Sequence, residues 1–246
     1  MRSFSTDLHI HTVLSPCGDL SMSPSNIVER AAAIGLELIA ITDHNSTLHG
    51  PTVRKIAEEK GIMVLYGAEV TTKEDVHCLC LFENEKQRIL IQNFLDENRP
   101  EIKNNPDLFG HQVLVDEQEE IIEEVEPLLI SGINASIDEI EKIVHQIGGL
   151  FIPAHIDRPK YSIMSQLGFI PKDLKYDALE ISKNTSMDTI FKNYSYIKNA
   201  RFIKSSDAHT LNQIGTSKMF LRMNNLSWNE FKMAILGIEG REIILS

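Results

Sequence analysis

The stretch that decides the fold is residues 4–12, which read Phe4-Ser5-Thr6-Asp7-Leu8-His9-Ile10-His11-Thr12. Side chains of a strand alternate between its two faces, so we expect His9 and His11 to project together while Leu8 and Ile10 point the other way. Two imidazoles on one rigid strand form half of a divalent-metal site, and a pair of ordinary polar residues at a strand end is the alternative. The remainder of the chain decides between these interpretations.

Alternating strands and helices follow this stretch. Ser23 and Pro24 are typical of the N-cap and first position of a helix. Residues 36–42 are a continuous apolar run, which predicts a buried parallel strand. A second helix is predicted over residues 52–60 and another strand over residues 62–71. Strands that alternate with helices and end in polar residues are typical of an α/β protein.

Beyond residue 71 the pattern is less regular. A strand at residues 75–82 follows so closely that we expect it to pair antiparallel. Residues 112–115 and 120–122 predict a hairpin inside an acidic, weakly patterned segment at about 100–130, which we expect to cover the barrel mouth or to lie outside it. Further strands are predicted at residues 150–155, 177–182, 201–209, 219–222 and 242–245. No linker interrupts this series, so we expect one domain over residues 1–246, with the 100–130 segment as an insert or lid.

Composition limits the classes of partner. The chain has 246 residues, of which 42% are hydrophobic and 24% charged, as in an ordinary globular protein. Its formal charge of −11 and its lack of a basic run predict repulsion of a long nucleic acid, whereas a small phosphorylated substrate fits. The absence of an 18-residue apolar run or a signal-like start predicts a cytoplasmic protein with no membrane partner.

Polar residues with metal-binding side chains stand at or near the ends of the predicted strands. In a (β/α) barrel the carboxyl ends of the strands converge on one rim, so residues distant in sequence meet there. The eight candidates are His9, His11, His44, Glu69, His77, His155, Asp207 and His209. Six of these are histidines, out of nine in the whole chain, which favours a metal or catalytic site over scattered surface residues.

In these motifs the chain resembles the polymerase-and-histidinol-phosphatase (PHP) family of metal-dependent phosphoesterases. The motifs are Asp7-Leu8-His9-Ile10-His11-Thr12, Thr42-Asp43-His44, Gly67-Ala68-Glu69-Val70, His77, Pro153-Ala154-His155 and Ser206-Asp207-Ala208-His209. The resemblance implies an α/β fold, a distorted (β/α)7 barrel of TIM-like form, with its metal site at the carboxyl-terminal rim. It also implies two or three divalent ions, which zinc, manganese or iron would supply.

The resemblance further implies how the ligands are shared. One metal would take His9, His11, Glu69 and Asp207; a second Glu69, His77 and His155; and a third His44, His209 and a residue of the turn after His11. Many relatives have Asp or His in that turn, whereas here the candidates are Cys17 and the less favoured Asp19. A Cys17 ligand would favour zinc, and the alternative is a plain loop thiol. Cys78 and Cys80 are expected to be core thiols.

Two residues beside the ligands are candidate catalytic residues. Asp43 precedes His44 and either orients a histidine or stabilises a turn. Arg158 follows His155, and it either binds a substrate phosphate with its planar guanidinium or forms a salt bridge with Asp157 or another acid. Glu180 ends a further predicted strand and is a candidate substrate contact.

The expected activity is metal-dependent hydrolysis of a phosphate ester of a small metabolite or nucleotide. A carboxylate bridging two cations holds them roughly 3.5 to 4 Å apart, close enough to share a hydroxide that attacks phosphorus. Three alternatives stay open: an exonuclease acting on short oligonucleotides, a noncatalytic metal-binding regulatory module, and a metal-dependent amidohydrolase. The last usually has a strand-borne lysine or ligands in another order, which this sequence lacks.

Overall fold

A computed structural model describes residues 1–245 and shows an α/β fold with a curled seven-stranded sheet. The strands are β1 (Arg2–Ile10), β2 (Leu38–Ile41), β3 (Met63–Thr71), β4 (His77–Phe82), β5 (Val113–Val115), β6 (Ile121–Glu124), β7 (Leu150–Pro153), β8 (Leu179–Ile181), β9 (Phe202–Lys204), β10 (Met219–Met223) and β11 (Glu242–Ile244). The helices are α1 (Pro24–Ala33), α2 (Gly50–Glu58), α3 (Glu85–Asn98), α4 (Pro106–Phe109), α5 (Ile137–Ile147), α6 (Ile163–Leu167), α7 (Met187–Asn193) and α8 (Trp228–Leu236). Every strand and helix predicted above is present. Most agree within two or three residues at each end, but β9 ends at Lys204, so Asp207 and His209 lie beyond it and not in the predicted strand.

Local capping explains where the helices begin and end. The Ser23 side chain accepts a hydrogen bond from the Asn26 amide, and Pro24 occupies the first position of α1, as predicted. Helix α5 begins with a capping box between Ser136 and Glu139 and ends at Gly148, which has a left-handed backbone (φ +87°). None of the helices within residues 1–245 is long and apolar enough to cross a membrane.

The sheet has the order β11-β10-β1-β2-β3-β4-β7. Strands β1, β2 and β3 are parallel, whereas β4 runs antiparallel to both β3 and β7. Strands β8 and β9 form a separate parallel pair. The Ile156 amide donates to the Glu180 carbonyl, and Ala208 exchanges backbone hydrogen bonds with His9 and His11, so the pair continues the curl from β7 round to β1. The predicted α/β barrel-like fold is therefore confirmed, with mixed strand directions.

One detail of the opening stretch differs from the prediction. Leu8 packs in the same apolar cluster as Leu38 of β2, whereas Ile10 packs with Ile39, and consecutive residues of β2 lie on opposite faces of the sheet. The pairing of β1 with β2 shifts register between Asp7 and Ile10, which breaks the simple alternation. The expectation that Leu8 and Ile10 share a face is therefore wrong.

The segment at 100–130 packs against the loops that follow β1 and β2. It contains α4 and the predicted hairpin, now β5–β6, and the Val113 amide donates to the Val13 carbonyl. Leu14, from the loop after β1, packs between Val125 and Leu129 in a small apolar cluster. The segment thus lies alongside the rim at which β1 and β2 end.

Candidate metal centre

The carboxylate of Glu69, on β3, is buried among imidazole rings. Its Oε1 atom lies 2.9 Å from His77 Nδ1 and 3.0 Å from His155 Nε2. Its Oε2 atom lies 3.2 Å from His44 Nδ1 and 3.4 Å from His11 Nε2. Each oxygen therefore faces a different set of nitrogens, which is the arrangement that a bridging carboxylate requires.

His9, His11, Asp207 and His209 extend the cluster on one side. The Nε2 atoms of His9 and His11 are 3.1 Å apart, so the two rings converge as the sequence predicted. Asp207 Oδ1 lies 3.4 Å from His9 Nε2 and 3.3 Å from His11 Nε2. The rings of His11 and His209 stack with centroids 4.1 Å apart. Residues from near the start of the chain and from beyond β9 thus meet beside β1.

The donor atoms fit divalent cations. Ligands of one cation at about 2.1 Å stand roughly 3.0 to 3.4 Å apart, and the distances among His9, His11 and Asp207 and between His44 and Glu69 lie within that range. Buried His44 Nδ1 also lacks a hydrogen-bond partner while it faces Glu69. Three groups could each hold an ion: His9, His11, Glu69 and Asp207; His44, Glu69 and His77; and His11, His44 and His209. His155 contacts Glu69 from outside these groups.

Hydrogen bonds behind the rings fix which nitrogen faces the centre. Both carboxylate oxygens of Glu180 lie 3.1 Å from His9 Nδ1, and Glu180 also accepts the His155 amide proton. His11 Nδ1 donates to the Ser15 hydroxyl, and His209 Nδ1 donates to the carbonyl of Asp207. Nε2 of each of these three histidines is thus left as the free donor toward a metal. Buried Glu180 therefore orients the His9 ring, a role that its position at a strand end did not distinguish from substrate contact.

Asp43 is fully buried and reaches the histidine cluster only through neighbouring side chains. Its carboxylate accepts hydrogen bonds from the Thr12 amide, the Thr12 hydroxyl and the Ser15 hydroxyl, and Ser15 in turn bonds His11. Both sequence readings therefore describe one network, since Asp43 stabilises the turn after β1 and reaches His11 through Ser15. The predicted catalytic role of Asp43 stays a prediction.

His49, to which the sequence assigned no role, continues this network. Its Nδ1 donates to the Thr12 hydroxyl at 2.5 Å, and its Nε2 accepts the Val115 amide proton at 3.0 Å. A chain of hydrogen bonds therefore runs from β5 through His49, Thr12 and Asp43 toward the metal centre. Only the fold brings Val115 near this histidine, so no local signal could have indicated it.

Charges in the cluster compensate one another. Burial favours the neutral acids, yet His77 and His9 hold the pKa of Glu69 well below its usual range, and His9 does the same for Asp207. Burial opposes protonation of His9, but Glu180, Asp207 and Glu69 together hold its pKa well above the usual value. Burial lowers the pKa of His11 to about 4. The two carboxylates are thus ionised and His11 is neutral, as cation binding demands, and a bound metal would displace the proton that His9 holds.

Cys17 lies at the edge of this arrangement. It is exposed and belongs to none of the candidate metal groups within residues 1–245. Partial desolvation raises the pKa of its thiol to about 12, and the negative charge of Glu69 adds to the effect. The turn nevertheless touches the site, because the Asp19 amide donates to the His209 carbonyl. The predicted role of Cys17 in a third metal site stays a prediction.

Arg158 reaches the centre from the loop after β7. Its Nη2 atom lies 2.5 Å from Oδ2 of Asp207, and its side chain is 42% exposed. Asp157 instead accepts hydrogen bonds from Ser182 and Thr185, so a salt bridge between Arg158 and Asp157 is not formed. Arg158 thus forms a salt bridge with another acid, which is the alternative that the sequence left open, and its contact with a substrate phosphate stays a prediction.

Two features of the backbone place the ligands. His77 is the first residue of β4, and because β4 runs antiparallel to β3, its amino end reaches the rim at which the parallel strands end. His77 therefore reaches this rim from the amino end of its strand, as the predicted antiparallel pairing allows. His155 and Asp207 have positive φ angles of 29° and 51°, which non-glycine residues rarely adopt. Such backbone strain is concentrated at functional sites.

The sequence is similar to a known protein family and to several known proteins. The family model described as PHP domain matches residues 7–161, more than half of the chain. An uncharacterised protein of Methanocaldococcus jannaschii is 39% identical over an 87-residue alignment that covers 32% of this chain and 50% of that protein. A PolC-type DNA polymerase III of Caldanaerobacter subterraneus is 24% identical over 88% of this chain and 17% of the polymerase.

A solved structure shares the fold over nearly the whole chain. The lesion-specific endonuclease EndoQ of Pyrococcus furiosus aligns with a TM-score of 0.73 at 21% identity, over 98% of this chain and 58% of that one. At this identity the likeness concerns the fold. The chain spans half or less of the length of these two sequence relatives.

Proposed function

The chain belongs to the PHP domain family, whose members are metal-dependent phosphoesterases and nucleases, and on that premise we propose that it hydrolyses a phosphate ester of a small metabolite or nucleotide. The observation that carries this proposal is the Glu69 carboxylate, which presents one oxygen to His77 and His155 and the other to His44 and His11. A carboxylate shared in this way suits two adjacent cations.

The donor set supports one division of the residues among the ions. His9, His11, Glu69 and Asp207 would hold one ion, and Glu69 with His77, and with His44 or His155, a second. A third would bind His44 and His209 together with a residue of the turn after β1, for which Cys17 is the candidate, because Nε2 of His11 would be used by the first ion. When bound, zinc, manganese or iron would polarise a phosphoryl oxygen and lower the pKa of a water molecule. No serine or cysteine nucleophile is needed.

The chain's own residues supply position and charge. Arg158 is placed to exchange its contact with Asp207 for a substrate phosphate, which its planar guanidinium binds through two hydrogen bonds. Glu180 holds His9 in the tautomer with Nε2 free, and Ser15 does so for His11. Because these supporting groups are buried, they are already ordered before substrate arrives.

A phosphate-release assay with manganese or zinc tests the proposal. Panels of sugar phosphates, nucleotides and amino-alcohol phosphates would be offered to the wild type and to the His9→Ala and Asp207→Ala variants. We expect release by the wild type and loss in both variants. The control is His111→Ala, because His111 is exposed and pairs with Glu124 in the hairpin. Metal-loaded wild type that releases nothing from any ester would favour the noncatalytic binding module instead.

Cleavage of nucleic acid is the second candidate. It is favoured by the likeness to a lesion-specific endonuclease that covers 98% of this chain, and it is opposed by the formal charge of −11. Phosphate contacts along a strand add salt sensitivity, so cleavage of oligonucleotides of increasing length would be measured across salt concentrations. A salt dependence that steepens with length indicates strand binding, whereas a constant one indicates a small ester.

A further inference from the structure

The loop after β7 brings three side chains to the metal centre. Between residues 155 and 161, His155 contacts Glu69, Arg158 pairs with Asp207, and Tyr161 stacks on His77. The first is a candidate ligand and the second a candidate phosphate contact. Tyr161 has no place in the chemistry described so far.

The tyrosine ring is held against the centre and open to solvent. Its centroid is 4.8 Å from that of the His77 imidazole, with the planes inclined by 16°. Tyr161 is nevertheless 47% exposed. Because His77 covers one face of the ring, any exposure of the ring itself is on the opposite face and the edge. An apolar ring thus lies open beside a site made of charged groups.

The backbone at this position is strained. Tyr161 has a φ angle of +57°, which is a clear outlier for a bulky side chain. Its carbonyl accepts the His77 amide proton at 2.9 Å, which ties the residue to the start of β4. A strained residue that exposes an aromatic ring gains little from burial, so the strain points to a role in binding.

We propose that Tyr161 is a stacking surface for a nucleobase, so that the phosphate ester is a nucleotide, either free or at a position in a strand. The inference rests on the proposed function and names its substrate class. Nucleobases present a planar π-face of the kind that stacks on exposed tyrosine, and sugar phosphates do not. With Arg158 on the same loop, the phosphate and the base would be bound from one side of the site.

The geometry suits the size of a nucleotide. The Tyr161 ring stacks directly on His77, with centroids 4.8 Å apart, and His77 Nδ1 lies 2.9 Å from Glu69 Oε1. A phosphate at the metal centre and a base on Tyr161 would therefore be separated by little more than one sugar. Stacking on a tyrosine face tolerates every base, so we expect little preference among the four bases.

Kinetics with paired substrates test this role. Adenosine 5′-monophosphate and ribose 5-phosphate carry the same phosphate and sugar and differ in the base. In Tyr161→Ala we expect the ratio of kcat/KM for the nucleotide to that for the sugar phosphate to fall about tenfold or more, as loss of base stacking predicts. Tyr161→Trp and Tyr161→Phe should restore the ratio. Phe109→Ala, which removes another exposed aromatic ring, should leave it unchanged.

An unchanged ratio in Tyr161→Ala, with both substrates weakened alike, would overturn the proposal and leave Tyr161 as a support for His77. The ratio is informative even where the alanine variant is less stable, because a general loss of folded protein cancels. A short single-stranded oligonucleotide forms a third arm. If the oligonucleotide is cleaved and its cleavage depends on Tyr161, the stacked base belongs to a strand. If only the mononucleotide is cleaved, the stacked base belongs to a free nucleotide. Both results support stacking.

Binding without turnover separates this inference from the proposed function. Adenosine has no phosphate, so it is added to the zinc-loaded protein while the ring protons of Tyr161 are followed by NMR. We expect upfield shifts with adenosine and none with ribose. Equal responses to both, or no response to adenosine, would refute stacking. If no ester is hydrolysed and adenosine still shifts the ring, the proposed function fails while the base site stands.

Discussion

Replacing His49 by glutamine should make the protein less sensitive to acid. The imidazole is fully buried, donates to Thr12 and accepts the amide proton of Val115. Burial lowers the pKa of His49 to about 4, against about 6.5 in an unfolded chain. Protonation would place a charge in the interior and remove the only lone pair that receives the Val115 amide, so the folded state resists it.

The sign and size of the effect follow from these two values. The unfolded state binds a proton as the pH falls through about 6.5, whereas the folded state does not until about 4. The stability that neutral His49 contributes is therefore complete above about pH 6.5 and is lost progressively between about 6.5 and about 4. Between about pH 7 and about pH 5 the loss amounts to about 2 kcal/mol.

Urea denaturation of metal-free protein at several pH values measures this loss. The free energy of unfolding of the wild type should fall by about 2 kcal/mol more than that of His49→Gln between about pH 7 and about pH 5. His145→Gln is the matched control with the opposite sign. Hydrogen bonding to Asp177 and Glu141 raises the pKa of His145, so its contribution is present at low pH and lost as the pH rises through that raised value. Parallel pH dependences in wild type and His49→Gln would refute the reasoning.

Three further outcomes are expected. Glu180→Gln should weaken zinc affinity, measured by calorimetry, about 10- to 100-fold, because His9 loses its carboxylate partner. The control Glu230→Gln, at a buried carboxylate away from the site, should bind zinc as the wild type does. Equal zinc affinities of Glu180→Gln and the wild type would contradict this reasoning. Gly67→Ala should destabilise by about 1 to 3 kcal/mol in chemical denaturation, since its Cβ would lie 2.9 Å from the Ile41 carbonyl oxygen, and an unchanged midpoint would contradict that contact. Manganese or zinc at about 100 times its Kd should stabilise the wild type by about 2.7 kcal/mol in thermal melts, and His9→Ala should lose most of this gain.

Local sequence signals predicted the elements and the ligand types well. Ser23, Pro24 and Gly148 act within one turn of chain, so their caps could be inferred without the fold. Glu69 and Asp207 were equally visible, because each is an acid near the end of, or just beyond, an apolar run that forms a strand. Such signals require only the periodicity of the chain.

Signals that depend on two distant segments were missed. Glu180 and His9 lie 171 residues apart, and nothing in either segment shows that a carboxylate and an imidazole meet there. Arg158 could pair with several acids, and the fold, not sequence proximity, selects Asp207 over the adjacent Asp157. The register shift in β1 likewise depends on how β2 lies beside it. Pairings of this kind are set by tertiary packing, which local propensity does not encode.

The antiparallel direction of β4 brings His77 and His155 to Glu69. The register of β3 with β4 pairs Thr71 with His77, so His77 lies diagonally across from Glu69. Strand β4 then pairs with β7 in the opposite direction, which carries His155 to the other side of the same carboxylate oxygen. A parallel β4 would need a long crossover and would bring its far end, Phe82, to this rim.

The short connection between β3 and β4 therefore determines where His77 lies relative to Glu69. Thr72 closes it, because its amide donates to the Val76 carbonyl and its hydroxyl accepts the Val76 amide proton. A slip of one residue in β4 would turn His77 to the opposite face of the sheet, away from Glu69. The stacked Tyr161 would then lose both its ring partner and the amide that its carbonyl accepts. The candidate ligand pair on β1 thus depends on this turn, which sets the Glu69 carboxylate between His77, at the start of β4, and His155, just beyond the end of β7.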